Sequence, residues 1–184
     1  MEKINIVHQV QKWENVLICV NKCKFRFKIS TMNGFIGEYE ATLDSKGRFL
    51  LPAGIKKQLP EGEEPVFVIN RGFEKCLTMY PMQSWKPLYE NLSTLNDFDP
   101  KVREFRRYFL NGAMQLELDS AGRILLPKSL MEHAGLEKDI VLVSAMNKME
   151  IWDKQKYQQL FDNFSSDSFS GLAAEVMAKK DSNG

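Results

Sequence analysis

Three charged side chains lie within five residues, and two of them, Lys46 and Arg48, could together bind an anion, while Asp44 shapes the turn that carries them. They lie in the segment 43–52, where the order Asp-Ser-Lys-Gly matches the residue preferences of a type I turn. In such a turn the aspartate side chain accepts a hydrogen bond from the backbone two residues further on. Apolar residues flank the turn on both sides, so we predict a β-hairpin whose tip carries Lys46 and Arg48 outward. Two cations on one turn favour phosphate or another anion as the ligand.

The same ten-residue pattern occurs again at residues 118–127, at an offset of 75. Only two positions differ, and at one of them Ala121 replaces Lys46. The motif residues of the second copy are Asp119, Gly122 and Arg123, in place of Asp44, Gly47 and Arg48. A match of this length within one chain indicates a duplicated structural unit. Two copies are too few for a solenoid and suit a pseudo-symmetric domain.

The following elements also repeat, in the order hairpin, short helix, strand, strand, helix. Residues 66–68 match residues 141–143 at the offset of 75, and the next strand matches at an offset of 72. An apolar stripe of helical spacing around Trp85 predicts a helix capped by Ser84. Asp99 and Pro100 predict the start of another helix.

The chain therefore divides into five predicted segments. They are an N-terminal extension over 1–31 that lies outside the fold, a first repeat over 32–96 with Met32 as the functional start, a linking helix over 97–112, a second repeat over 113–164 and a C-terminal tail over 165–184.

Composition excludes several classes of protein. No apolar run approaches the roughly 18 residues of a membrane helix, so no membrane partner is expected. Cys19, Cys23 and Cys76 form no disulfide framework and indicate a reducing cytosol. Cys19 and Cys23, with the distant His8, lack the second ligand pair that a zinc site requires. We therefore predict no metal and no cofactor.

An enzyme is not expected either. The chain has two histidines, His8 and His133, and shows no nucleophile–base pairing and no glycine-rich phosphate loop. A small-molecule substrate is therefore not predicted.

Charge is unevenly distributed along the chain. Residues 1–31 hold six Lys and Arg against two Asp and Glu, whereas residues 32–184 hold 19 Lys and Arg against 22 Asp and Glu. Binding to nucleic acid would have to come from local clusters of charge. The basic residues of the linking helix favour a solvated surface over a phosphate-contacting one.

Taken together, these residues resemble the MraZ family, the bacterial transcription factors encoded at the head of the division and cell-wall gene cluster. The resemblance runs from about Met32 to Phe164. It is carried by Gly37-Glu38-Tyr39, the two Asp-x-x-x-Arg motifs with Pro52 and Pro127, Cys76-Leu77 through Tyr80-Pro81, Trp85 and Gly112-Ala113. Two such motifs at this separation inside a duplicated frame are highly specific.

The resemblance implies an α+β fold, an AbrB-like swapped-hairpin β-barrel built from two duplicated halves of one chain, with flanking helices. It implies that several chains assemble into a homo-oligomeric ring. The ring would bind repeated boxes of double-stranded DNA upstream of the family's own operon and so control transcription, in the cytoplasm and at the nucleoid. One departure is Ile36, which stands where many relatives carry a basic residue.

The motif residues receive separate roles. The predicted DNA-binding residues are Lys46, Arg48 and Arg123, and the predicted turn residues are Asp44, Gly47, Asp119 and Gly122. Arg48 is expected to form paired hydrogen bonds either with a guanine edge in the major groove or with a phosphate, and Lys46 is expected to contact a phosphate. Because Ala121 replaces Lys46 in the second copy, the two tips are expected to be electrostatically unequal.

Two alternatives use the same fold. An AbrB-type antitoxin would normally wrap its toxin with a disordered arm longer than the twenty residues that follow Phe164. A non-DNA-binding oligomeric barrel is the other alternative. A DNA shift assay at low salt separates the barrel from the regulator, and co-purification of a toxin would favour the antitoxin.

Overall fold

The computed structural model describes residues 34–59, 65–162 and 165–181. The extension predicted over residues 1–31, with His8, Cys19 and Cys23, lies outside the described residues. No helix among the described residues is long and apolar enough to cross a membrane.

Two similar series of elements follow one another along the chain. The first copy contains β1 (Glu38–Thr42), β2 (Arg48–Leu50), α1 (Ala53–Lys56), β3 (Val66–Arg71), β4 (Leu77–Pro81) and α2 (Met82–Ser93). The linking helix is α3 (Pro100–Phe109). The second copy contains β5 (Met114–Glu117), β6 (Arg123–Leu125), α4 (Lys128–Ala134), β7 (Asp139–Ala145), β8 (Lys148–Asp153) and α5 (Lys154–Asp162). Helix α6 (Ser166–Asp181) follows the second copy.

Helix starts follow their local sequence signals in one case and depart from them in another. Asp99 caps α3 as predicted, because its side chain accepts a hydrogen bond from the backbone two residues on at 2.8 Å, and Pro100 is the first helical residue. The predicted cap at Ser84 is wrong. Helix α2 begins at Met82, directly after Pro81, and no side chain caps it. Strand β4 runs straight into this helix, which leaves no room for a separate capping turn.

The strands of the two copies are interleaved. The six-stranded antiparallel sheet has the order β1-β7-β8-β4-β3-β5, so the first strand of each copy pairs with the third strand of the other copy. Strands β2 and β6 pair with each other in a separate two-stranded unit, which we call the β2–β6 ribbon. The predicted hairpin therefore forms only at its turn, where the N–H of Asp44 donates to the carbonyl of Arg48 (2.8 Å), and no ladder joins β1 to β2 beyond that bond. The ladder partners of both strands come from the other copy.

The strand registers revise the alignment of the two copies. Tyr39 in β1 lies opposite Leu142 in β7, and its equivalent Met114 in β5 lies opposite Ile69 in β3. Ile69 is therefore equivalent to Leu142, at an offset of 73, and the offset of 75 predicted for these strands is wrong by two positions. The next ladders give the same offset, because Ile69 lies opposite Met79 and Leu142 lies opposite Ile151, the residue that corresponds to Met79 at the offset of 72. The loop before β7 is two residues shorter, and a two-residue slip keeps the same side-chain face, so the apolar pattern alone did not reveal it.

Both copies contribute to one hydrophobic core between the sheet, the ribbon and helices α1 and α4. Its fully buried side chains are Phe49, Leu51, Ile55, Phe67, Ile69, Leu77, Met79, Ile124, Leu126, Leu130, Ala134, Ile140, Leu142, Met149 and Ile151. Outside this core each copy forms a smaller cluster between its sheet strands and its own C-terminal helix. The first cluster contains Val68, Tyr80 and Trp85, and the second contains Val141, Trp152 and Tyr157 together with Cys76 from the first copy.

Helix α3 is fixed to the end of α2 by Arg106. The guanidinium donates to the carbonyl oxygens of Leu92 (2.7 Å) and Leu95 (2.9 Å) and also pairs with Asp97. Arg106 is therefore a structural residue and not part of a solvated surface, whereas Lys101, Arg103 and Arg107 are exposed, as predicted for the basic residues of this helix.

Candidate nucleic-acid interface

Asp44 organises the first motif turn. Its Oδ1 accepts hydrogen bonds from the backbone N–H groups of Lys46 (2.8 Å) and Arg48 (3.0 Å). Its Oδ2 accepts from Arg48 Nε at 2.7 Å and lies 2.7 Å from Nη2. The N–H of Gly47 donates to the carbonyl of Asp44 (2.9 Å), and Gly47 has φ +79, a conformation that favours glycine. One carboxylate thus shapes the turn and holds the arginine.

The second turn repeats this geometry. Asp119 Oδ1 accepts from the backbone N–H groups of Ala121 and Arg123, both at 2.9 Å. Its Oδ2 accepts from Arg123 Nε at 2.8 Å and lies 2.7 Å from Nη2. Gly122 has φ +76. The duplication therefore extends to individual hydrogen bonds.

The ion pairs shift the pKa values of both carboxylates downward. The side-chain hydrogen bond from Arg48 is the main cause that lowers the pKa of Asp44 to about 2. The corresponding bond from Arg123 lowers the pKa of Asp119. Asp119 in turn raises the pKa of Arg123, and the Asp44 carboxylate adds to this effect. Since Asp44 and Arg123 belong to different copies, the two motifs lie close enough to interact electrostatically.

The β2–β6 ribbon places both arginines on one surface. Arg48 lies opposite Leu125, and Arg123 lies opposite Leu50. Alternate residues of a strand face the same side, so these four side chains share one face. Leu50 is 58% and Leu125 54% exposed, whereas the residue in the middle of each strand is at most 1% exposed and lies in the core. We call this outward surface the ribbon face.

Each turn is also hydrogen-bonded to the other copy. The N–H of Leu51 donates to the carbonyl of Gly122 (3.1 Å), and the N–H of Leu126 donates to the carbonyl of Gly47 (2.9 Å). These bonds extend the ribbon into both turns and fix the separation of the two motifs.

The arginines keep donors for a ligand. A guanidinium has five N–H groups, of which the aspartate takes two in each copy. Among the described residues, no acceptor takes the remaining N–H groups of Arg48 or Arg123. Their side chains are 27% and 36% exposed. Lys46 is exposed beside Arg48. The ribbon face therefore presents directed cationic donors.

Sequence reasoning missed the two exposed leucines of the ribbon face. Leu50 lies within an apolar run of three residues, and so does Leu125. Such a run suggests a wholly buried strand. The two-residue period of a strand could have identified these leucines as exposed, because it places each leucine on the same side as the motif arginine of its strand.

The fold and site define a duplicated protein with two Asp–Arg turns on one β-ribbon. A family model described as "MraZ protein, putative antitoxin-like" matches the chain twice, over residues 35–108 and 109–179. The chain belongs to the MraZ family, as the sequence motifs predicted.

Close relatives carry the same family name. A protein of Christiangramia forsetii is 46% identical over 154 residues, which cover 83% of this chain and 99% of the relative. A protein of Cytophaga hutchinsonii is 45% identical over 147 residues, 80% of this chain and 97% of the relative. A protein of Natranaerobius thermophilus is 39% identical over 143 residues, 78% of this chain and 96% of the relative. All three are named transcriptional regulator MraZ, a non-enzymatic role that agrees with the prediction that the chain is not an enzyme.

Proposed function

We propose that this chain is a transcriptional regulator that binds double-stranded promoter DNA with its ribbon face. The observation that carries the proposal is the placement of Arg48 and Arg123 on that face, each held by its own aspartate. The major groove of B-DNA, about 12 Å wide, admits a two-stranded β-ribbon. Arg48 and Arg123 are diagonal neighbours on the ribbon. Such neighbours are about 7–8 Å apart, which is close to the length of two base steps of about 3.4 Å each.

The side chains of the ribbon face match the chemistry of DNA. Arginine forms paired hydrogen bonds with a guanine edge or with a phosphate. Leu50 and Leu125 offer apolar contacts of the kind that thymine methyl groups make. Lys46, on the turn, contacts the phosphate backbone. Asp44 orients Arg48, so less side-chain entropy is lost when DNA binds.

The proposed fold class is the AbrB-like swapped-hairpin barrel. Its support is the exchange of strands between copies: β1 and β5 each pair with the opposite copy, and β2 and β6 pair across the two. In this arrangement the two motif turns project from one ribbon rather than from two independent hairpins.

Self-association into a ring is part of the proposal. Residues 32–184 carry three more acidic than basic side chains, so a single chain would neutralise few phosphates and bind weakly. Several linked ribbon faces on repeated boxes would add affinity through effective concentration. Phe73, Phe105 and Tyr108 are exposed aromatic side chains that line one cavity, and exposed apolar side chains grouped in this way support an interface between chains. Light scattering at micromolar concentration should show an oligomer rather than a monomer.

The DNA is expected to be the repeated promoter boxes upstream of the family's division and cell-wall operon, as the family resemblance implies. A regulator of that operon works in the cytoplasm, at the nucleoid.

The decisive experiment measures binding to the promoter region of the protein's own gene at several salt concentrations. Arg48→Ala and Arg123→Ala should each weaken binding by about 5- to 150-fold, the equivalent of about 1–3 kcal/mol for a paired base contact. Arg107→Ala, which removes an exposed arginine from α3, is the control of equal charge and should bind almost as tightly as the wild type.

The substitution of Arg48 also leaves the Asp44 carboxylate unpaired, and its repulsion of DNA could lower affinity by itself. The double variant Asp44→Asn/Arg48→Ala removes that charge and should still bind weakly. If the combined Arg48→Ala/Arg123→Ala protein is folded and binds the promoter with wild-type affinity and salt dependence, the proposed function is wrong.

An antitoxin role is the second candidate, because the description of the matching family model includes the words antitoxin-like. Co-purification of a stoichiometric toxin with the full-length protein, together with unchanged promoter binding in the arginine variants, would favour it.

A further inference from the structure

Helix α1 of the first copy reaches the motif turn of the second copy. The ammonium nitrogen of Lys56 lies 2.5 Å from the position that a Cβ atom on Gly122 would occupy. Lys56 is exposed, and among the described residues its ammonium group has no carboxylate or other hydrogen-bond partner. Within the part of the chain that the structure describes, a cation without a pairing partner therefore lies beside the second turn, although the turn itself contains no lysine.

The corresponding contact at the first turn is apolar. A Cβ atom on Gly47 would lie 2.7 Å from the terminal methyl carbon of Met131 in helix α4. Lys56 and Met131 are equivalent residues, separated by the same 75 positions as Gly47 and Gly122. In both copies, the same helix position therefore covers the motif glycine of the opposite copy.

Two differences between the copies offset one another. Within the turns, Lys46 of the first copy is replaced by Ala121 in the second. Within the covering helices, Met131 lies over the first turn and Lys56 over the second. Each turn consequently has one lysine, and the inequality expected from the motif sequences alone is offset by the helix residue.

We propose that Lys56 is the phosphate-contacting lysine of the second turn, so that each turn presents one arginine and one lysine to DNA. This inference rests on the proposed function and assigns a further DNA-binding residue to the same site. A lysine ammonium is a compact charge on a flexible four-carbon stem, so it can reach a phosphate from the helix as well as from the turn. The two lysines would contact the DNA backbone on either side of the ribbon.

The test compares the salt dependence of promoter binding among full-length variants. Lys56→Met should lower the slope of log K against log salt by about 0.9 for each engaged chain, which is the loss of one phosphate contact. Lys46→Ala should have the same effect. Lys86→Met removes an exposed lysine from α2 and should leave the slope unchanged.

A charge swap distinguishes a contact at the second turn from a general loss of charge. The double variant Lys56→Met/Ala121→Lys gives the second turn the lysine and methionine of the first, and it should recover the wild-type slope. The reciprocal variant Lys46→Ala/Met131→Lys should bind like the wild type for the same reason. Thermal unfolding of each variant verifies that it is folded.

The outcomes separate this inference from the proposed function. If the wild type binds the promoter and Lys56→Met behaves like Lys86→Met, the role of Lys56 is overturned and the proposed function stands. A loss in Lys56→Met that Ala121→Lys does not recover also overturns it, since the lysine would then act away from the second turn. A wild-type protein that does not bind the promoter at low salt overturns the proposed function itself.

Discussion

At the scale of single residues, Asp44 and Asp119 each combine two tasks. One carboxylate oxygen accepts the backbone N–H groups of the turn, and the other holds the guanidinium of the motif arginine. The arginine is therefore oriented before any ligand arrives. A side chain that is already ordered loses less conformational entropy on binding than a free one.

The Asp44–Arg48 pair has a measurable acid–base signature. The pKa of Asp44 is held at about 2, below the value of about 3.9 for an aspartate in an unfolded chain. Its contribution to stability should therefore be complete above about pH 4 and be lost as the pH falls towards 2. Carboxyl NMR titration should give Asp44 a midpoint near 2, and Arg48→Ala should raise that midpoint towards the ordinary value.

The same titration contains its own control. Arg48→Ala should leave the pKa of Asp119 lowered, because that carboxylate is held by Arg123. A wild-type midpoint for Asp44 near 3.9 would show that the pair does not persist in solution.

The sequence made the turn residues of the site predictable, because their signals are local. Asp44, Gly47 and Arg48 lie within five positions, and their types alone favour the turn and its ion pair. Lys56 was not predictable in the same way. Its place beside Gly122 depends on how two segments 66 residues apart come together, and no local pattern encodes that contact.

At the scale of elements, the motif turns depend on the left-handed conformation of their glycines. Gly47 has φ +79, and a Cβ atom there would also lie 2.7 Å from Met131 Cε. Gly47→Ala should lower the free energy of unfolding by about 1–3 kcal/mol, the usual cost of such a conformation in a residue with a side chain. Denaturant unfolding followed by circular dichroism measures this change.

Gly171 in α6 offers the matched substitution. A Cβ atom at Gly171 meets nothing within 4 Å, and the residue lies inside a helix. Gly171→Ala should therefore leave stability unchanged or raise it by about 0.5–1 kcal/mol. Equal effects of the two substitutions would contradict the conformational role assigned to Gly47.

The types of most elements were predictable from periodicity and turn residues, but their partners were not. The segments on either side of the first motif turn were both correctly predicted to be strands. The predicted pairing of these two segments is limited to the bond that closes the turn, since each finds its ladder in the opposite copy. A strand pattern specifies which side chains face inward, and it does not specify the neighbouring strand.

At the scale of the whole molecule, the exchange of strands makes the two copies interdependent. Each copy supplies an outer strand of the sheet and one strand of the ribbon to the other. The fully buried core also contains side chains from both copies. Neither copy can therefore complete its hydrogen bonding or its core alone.

This interdependence predicts the behaviour of fragments. Residues 32–112 and residues 113–184, expressed separately, should each lack a cooperative thermal transition as a monomer. When the two are mixed, they should regain the circular dichroism spectrum and the transition of the intact protein. Light scattering during the measurement identifies the monomers. A cooperative transition in either monomeric fragment would contradict the interdependence of the copies.

The β2–β6 ribbon has one more consequence under the proposed function. In a regulator made of two identical subunits, two-fold symmetry ties the protein to palindromic half-sites. In this chain, β2 and β6 have separate sequences, so the residues of one strand can be substituted without a change in the other. The pair can therefore recognise an asymmetric sequence and bind it in one direction only. Directional binding allows successive chains of an assembly to follow one another along direct repeats, all with the same polarity.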